Sequence, residues 1–582
     1  MRLAPVASFL LAITLVATPG SVAGAQSDSS RAEVALPALP PCDGLRVSAI
    51  NIEPGRPPFE GAATRWRHLA RTIGLHHATT RPGVVDAFLA LEVGDVCTER
   101  RRTESERILR AQPFIADATV RAIPDGAGGV RLSVQTTDEI AALANGRFRG
   151  IKPQYISLGN GNIGGEALRV EGSVERGYTY RTGLGLKVIE YATFGRPYVS
   201  TFEGRLENLG HLLNVELAHP FYTDFQHHTW HLGYRNSEDY LHVDRPARDP
   251  LALRTKQERW DASTLLRAFG TNTVTLLGVG ASGLDLRPDS IGIVVTDSGL
   301  RADSGVTLRN RYQPFRATRL GVLGGLRRVR FSSVHGFDGL TAAQDVASGY
   351  MTGLFVGKGI PAGGESDVFL SGAAYAGLAG ERSLLAGLAQ VEGRKGAGAD
   401  RWDSLIGSAR IAYYVGEAPG LVFMTEDKFS GGKESRLPIQ LALDDRQGGI
   451  MGYRDAALAG ALRNVVHSEV RWSRAALVRN ADVGVSAFSE LGSVWKGDAP
   501  YGMTATRASL GISILAAYPT KSKRIYRADF GFPITRQGEG SGKLEVRLSS
   551  EDRTILFWRE PDDVSRARTG AVPTSMFAWP TQ

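Results

Sequence analysis

Two adjacent histidine pairs, His76-His77 and His227-His228, are the first residues whose type could support metal or acid–base chemistry. Zinc sites draw on His, Cys and carboxylate ligands at short, fixed spacings. Neither pair has such a partner along the sequence, so both read as surface histidines. Covalent hydrolysis on a strand-to-helix elbow would need Gly-x-Ser-x-Gly, and a phosphate cradle would need Gly-x-x-x-x-Gly-Lys. The chain contains neither. GVLGGLR (321–327) has glycines without the lysine, and DRPARDP (244–250) reads as an exposed loop before it reads as a metal site. No catalytic residue, metal or cofactor is expected; the enzymatic reading left open is an embedded lipase or protease with scattered residues. Cys42 and Cys97 are the two cysteines, and in an exported chain an even count suggests one disulfide rather than two buried thiols.

Export is read from the first 25 residues. Arg2 supplies the positive start, residues 9–17 (FLLAITLVA) a short apolar core, and Ala23-Gly24-Ala25 a small-residue cleavage site before Gln26. The apolar run is well short of the roughly 20 residues a spanning helix needs. Residue 26 is not Cys, which argues against a lipid anchor. Beyond it no run of 18 uncharged apolar residues follows, so a helical membrane protein is excluded. The chain has 69 Gly, 2 Cys and a formal net charge of +8. Frequent glycine with charge spread through every segment suits short strands and many turns. The positive charge is not clustered, so a nucleic-acid partner has no support.

Residues 26–41 read as a Ser-, Ala- and Pro-rich linker, and 42–140 as a small α+β domain. Its first strand is expected at 45–53 (LRVSAINIE). A helix follows, with Thr80 as N-cap and Pro82 just inside its start. After the Gly94-Asp95 turn comes a charged helix, TERRRTESERILRAQ, ended by Pro113. Strands at 118–122 and 130–134 close the unit across the turn residues 125–129. An insertion over 54–79 is expected to hold a short helix near 64–72.

From 142 to 560 the pattern changes to period-two segments. Leu168, Val170, Gly172 and Val174 alternate with Arg169, Glu171, Ser173 and Glu175; Leu544, Val546 and Leu548 alternate with Lys543, Glu545 and Arg547. Tyr526, Ala528, Phe530 and Phe532 alternate with Arg527, Asp529 and Gly531. A soluble sandwich with one wet face also alternates. Yet a sandwich of 419 residues would divide into several domains, and no linker is evident. A membrane barrel needs strands of roughly 9–11 residues with lipid on one side and polar contents on the other. Closure also satisfies every backbone group in lipid. The fold class is therefore mainly β: a transmembrane antiparallel barrel of about 16 strands, at roughly 26 residues per strand and connection, behind the α+β domain. Residues 561–582 read as a polar tail. The closing strand is expected either at 543–549 or in a longer strand reaching Trp558.

Several segments resemble one family. VVDAFLALEVGDVCTERRRTESERILRAQPFIADATV (84–120) is similar to a POTRA (polypeptide-transport-associated) domain. SLGNGNIGGEALRVEG (157–172), VELAHPFYTDFQHHTW (215–230) and YRADFGFPI (526–534) resemble the barrel segments of the BamA-type outer-membrane assembly and secretion superfamily, the bacterial surface antigen family. The resemblance implies that DDRQGGIMGYRDAALAGALRNVVHSEVRW (444–472) contains the sixth extracellular loop. That loop folds into the lumen with an Arg-Gly-Phe/Tyr tip, here Gly449, Met451, Gly452, Tyr453 and Arg454. The family's Phe-x-Asp-x-Gly strand motif stands here as Phe488, Glu490 and Gly492. Spaced by two, these three share one strand face. A carboxylate there can hold a guanidinium through fork-like hydrogen bonds. Two departures matter: Met451 replaces the tip arginine and Glu490 the aspartate, so Arg454, with Arg446 behind it, is the substitute cation. The alternative has Met451 packed on apolar lumen residues and Arg454 facing water.

The resemblance further implies an outer-membrane protein with its N-terminal domain in the periplasm. It would pass unfolded client polypeptides into or across the membrane, with outer-membrane lipid, periplasmic chaperones and accessory subunits as further partners. A two-partner secretion transporter and a passive pore or surface antigen are the rival readings.

Overall fold

The computed structural model describes Cys42 and residues 44–55, 79–149, 152–176, 182–246, 248–270, 273–296, 299–445, 448–453, 458–478, 481–534, 544–552, 560–570 and 576. The expected signal, the linker and the helix near 64–72 lie outside these residues.

The N-terminal module runs β1 (Val47–Gly55), α1 (Pro82–Ala87), α2 (Glu99–Ala111), β2 (Ile115–Pro124) and β3 (Val130–Asp138). Its sheet has the order β1-β3-β2, with β1 parallel and β2 antiparallel to the central β3. Along β3 the residues Val130, Leu132 and Val134 are buried, and α2 covers that face with Ile108 and Leu109. A disulfide joins Cys42 to Cys97, Cα atoms 5.1 Å apart, and so ties the start of the module to the entry of α2.

Capping differs in one place from the sequence reading. Pro82 does occupy the first turn of α1, where its missing N–H has no helical partner to lose. The N-cap, however, is Arg81 and not Thr80. Thr80 turns to the fully buried Asp138, giving it a backbone N–H at 2.7 Å and a hydroxyl at 2.8 Å. A buried carboxylate needs donors more than a solvated helix end needs a cap. Helix α2 is capped by Thr98, which accepts the Arg101 N–H.

β4 (Ala142–Arg149) follows the module directly and opens the barrel. The hydrogen-bonded ring contains 22 strands among the described residues. Two of them, Gly292–Thr296 and Gly299–Asp303, form a hairpin beside the wall, because their flanking strands also pair directly with each other. That leaves 20 in the wall (22 minus 2) and corrects the expected 16. The earlier division allowed too much chain per connection. Three residues join Asp367–Ala379 to Ser383–Gly396, and three join Asp403–Gly416 to Gly420–Lys433. The ring closes where Glu545–Asp552 lies beside β4.

The two faces of the wall differ as the alternation requires. On Ala505–Ala517, Leu510, Ile512 and Ile514 are 50%, 57% and 53% exposed, while Ser509 and Ser513 on the alternate positions are buried. Val485, Leu491 and Trp495 likewise face out on Ala481–Trp495. Such an apolar exterior is what a bilayer-facing wall needs.

Two chain segments fill the inside. Residues 434–445, 448–453 and 458–461 fold inward from the rim, with Leu437 packed on Leu284, Leu286, Phe315 and Ala317. Within them Leu441–Ala442 pairs with Ala459–Gly460. The second segment is the C-terminus, expected as a polar tail. Its described part instead includes a short helix, α3 (Asp562–Ala567), whose Val564 and Ala567 are buried with Ile406, Ile439 and Leu441. Polar composition misled here, because a polar lumen receives such a segment as readily as water does.

Aromatic contacts dock the module on the barrel: Phe88 meets Tyr222 edge-on at 5.7 Å and Phe114 meets Tyr191 at 5.9 Å. Arg107 donates to the Tyr222 carbonyl at 3.0 Å, and Arg110 pairs with Asp345 at 2.9 Å.

Candidate functional site

Ala481–Trp495 places Phe488, Glu490 and Gly492 on the inward face, with Phe488 and Glu490 both under 10% exposed. Its neighbours set their partners by register. His467 lies opposite Glu490 on Leu462–Val478, and Ser509 lies opposite Glu490 on Ala505–Ala517. The structure brings the inserted loop to this same spot. Ile450, Met451 and Tyr453 are all buried there.

The latch is made by backbone. Met451 N–H donates to Glu490 Oε2 at 2.8 Å, Ser509 Oγ donates to the same oxygen at 3.0 Å, and His467 Nδ1 lies 3.2 Å from Oε1. The next amide, Gly452 N–H, donates to the Glu545 carboxylate on the closing strand. Tyr453 donates its hydroxyl to the Ala508 carbonyl at 2.9 Å. Three successive tip residues are thus held by three wall strands. The Met451 side chain packs against Gly531, so it fills space and pairs with nothing charged. Arg454 and Arg446, the substitute cations, lie outside the described residues.

Two glycines permit the close approach. Gly452 sits at φ +91°, and a Cβ there would lie 2.8 Å from Pro533. A Cβ on Gly492 would lie 2.9 Å from Leu443 and 3.1 Å from Ile450 of the inserted loop.

Around the latch runs a buried ionic chain that the sequence reading did not single out. His467 stacks on Phe488 at 5.5 Å, and its Nε2 lies 3.3 Å from Glu469. Glu469 accepts from Arg471 at 3.1 Å and Arg527 at 3.0 Å. Arg527 pairs with Asp529, which takes two bonds from Arg547 at 3.0 and 2.8 Å. Arg547 lies 3.5 Å from Asp445 at the base of the loop. His467, Glu469 and Arg471 are spaced by two, as are Arg527 and Asp529. That period was the available signal, and it becomes informative once the strand face is known to point inward.

Outside the barrel wall, burial pushes the Glu104 carboxyl of α2 up, but the Arg107 guanidinium and the Thr223 hydroxyl outweigh it and hold it below its ordinary range. On Arg110, burial pushes down, but Asp345 and Glu106 together outweigh it and raise the group.

The arrangement braces a wall from inside and holds a loop tip to three of its strands.

No protein-family model matches the chain, and no curated protein matches it by sequence. Among solved structures it is similar to BamA from Haemophilus ducreyi lacking POTRA domains 1–3, at 10% identity and a TM-score of 0.35, over 87% of this chain and 85% of that one. It is similar to CdiB from Acinetobacter baumannii at 10% identity and a TM-score of 0.41, over 87% and 74%. It is similar to CdiB from Escherichia coli at 11% identity and a TM-score of 0.36, over 90% and 93%. The structural neighbours of this chain thus include BamA and CdiB proteins, at low identity.

Proposed function

We propose that the protein is an outer-membrane barrel that passes unfolded client polypeptides from the periplasm into or across the membrane, without covalent catalysis. The observation that carries this reading is the lumen. A wide wall encloses polypeptide, and the loop tip is latched through its backbone to Glu490 and Glu545. Contacts of this kind exchange one chain for another. The apolar exterior supports lipid around the wall. The N-terminal module, read as a POTRA domain, faces the periplasm and offers the outer edges of β1 and β2 to client strands, a mode that reads backbone rather than sequence. Periplasmic chaperones or accessory subunits would deliver clients to it.

Quantitative comparison of the outer-membrane proteome with and without the protein tests the reading. Loss of several outer-membrane proteins, or of a dedicated exported passenger, is the expected result. An unchanged outer-membrane and secreted proteome would overturn it.

A further inference from the structure

The C-terminal segment follows a bonded path along inward-facing wall residues. Arg463, 2% exposed, donates to both oxygens of Asp563 at 2.8 and 3.2 Å, and also to the Ala442 carbonyl of the inserted loop at 2.8 Å. Glu560 accepts from Ser408 and from Arg568. Glu392, also 2% exposed, accepts the Thr569 N–H at 2.6 Å, the Thr569 hydroxyl at 3.1 Å and the Gly570 N–H at 3.3 Å. Farther on, Met576 receives the Ser263 hydroxyl on its sulfur at 2.9 Å and joins the core shared by module and barrel. Around the wall, the strand bearing Ser263 is eight places from the strand bearing Arg463, out of 20. The segment therefore reaches from one wall to nearly the opposite one.

Among the described residues, each hydrogen bond to the Glu392 carboxylate comes from this segment. A buried carboxylate left without donors is strongly unfavourable. The wall is thus shaped around an occupant that supplies backbone N–H groups, and two of the three donors here are backbone.

The geometry points to a polypeptide-binding track on the inner wall, centred on Glu392, Ser408 and Arg463. The chain's own residues 560–570 occupy it and hold the barrel closed until another polypeptide displaces them. Displacement by a client rests on the function proposed above; closure by the tail does not.

Conductance across planar phospholipid bilayers tests it, comparing the full chain, a chain ending before Glu560, and the full chain carrying Glu392→Ala. Heat-dependent gel migration shows which variants have folded. The truncated barrel should conduct well above the full chain, and a synthetic peptide of residues 560–582 should lower that conductance again. Glu392→Ala should raise the open fraction by roughly tenfold or more, tenfold being the scale of just one of the three charge-assisted hydrogen bonds it removes. The proposal is overturned if both variants keep the full chain's conductance, or if the peptide leaves the truncated barrel unaffected. Should the truncated chain not fold, Glu392→Ala decides alone. Raised conductance with an unchanged proteome on depletion would remove the client role and leave the track; the reverse pair of results would remove the track and leave the client role.

Discussion

Glu490 gathers the Met451 amide, the Ser509 hydroxyl and the His467 ring at one carboxylate. Replacing it with Gln leaves the shape and removes the charge. Hydrogen bonds to charged groups contribute about 1.5–3 kcal/mol each, so Glu490→Gln should loosen the loop tip while the wall stays folded. Hydrogen exchange at residues 448–453 checks this: faster exchange confined to the tip is expected, and unchanged exchange would remove Glu490 as the latch. Gly452→Ala attacks the same contact from the loop side. It forces a side chain to φ +91° beside Pro533, a strain of about 1–3 kcal/mol, and should likewise release the tip to protease. The family resemblance singled out Phe488, Glu490 and Gly492, and a period of two gives them a shared face. The partner of Glu490 was not legible in the sequence, because a backbone amide has no residue type to recognise. Arg454 was sought for its charge, whereas Met451 serves by its N–H and by filling space beside Gly531. His467 escaped notice for a related reason: Glu469 stands two residues along the same strand, but Glu490 meets it only by pairing across strands, which one sequence window does not display.

Helix α2 joins the module to the barrel through Arg107 and Arg110. The Glu104 carboxyl is held below its ordinary value of 4.5 by Arg107 against the opposing push of burial. A depressed carboxyl contributes stability that is present above 4.5 and lost as pH falls through the lower folded value. Docking of α2 should therefore be unchanged between pH 7 and 5 and weaken below about 4.5, as amide exchange in residues 99–111 would show. Weakening between pH 7 and 5 would assign the docking to another group. At the wall, Ile512 faces outward at 57% exposure. Ile512→Lys at mid-membrane depth should cost about 2–4 kcal/mol on refolding into vesicles, whereas Ser486→Ala on the inner face of the neighbouring strand, a buried hydroxyl with no hydrogen-bond partner among the described residues, should cost far less. Equal effects would mean the faces are misassigned. Alternation made the wall strands legible and told which face is which. It did not give their number, because strand count depends on how short the connections are, and three-residue turns carry little pattern of their own.

At the scale of the whole molecule, the β1-β3-β2 module, the ring of wall strands and two inserted segments form one arrangement in which the interior is occupied by the chain itself. The ring was legible from hundreds of residues of alternating pattern with no long apolar run among them. The occupant from 560 onward was not, since Glu560, Asp563, Arg568 and Thr569 look like solvated residues until Ser408, Arg463 and Glu392 are seen facing them. Both proposals depend on the wall standing in a bilayer with its apolar face outward. Membrane fractionation of the expressed full-length gene product, followed by gel migration with and without heating, tests that most directly. The chain should stay with the membrane through an alkaline wash, need detergent to leave it, and run as a compact band until boiled. A chain that dissolves as a monomer without detergent would contradict the account.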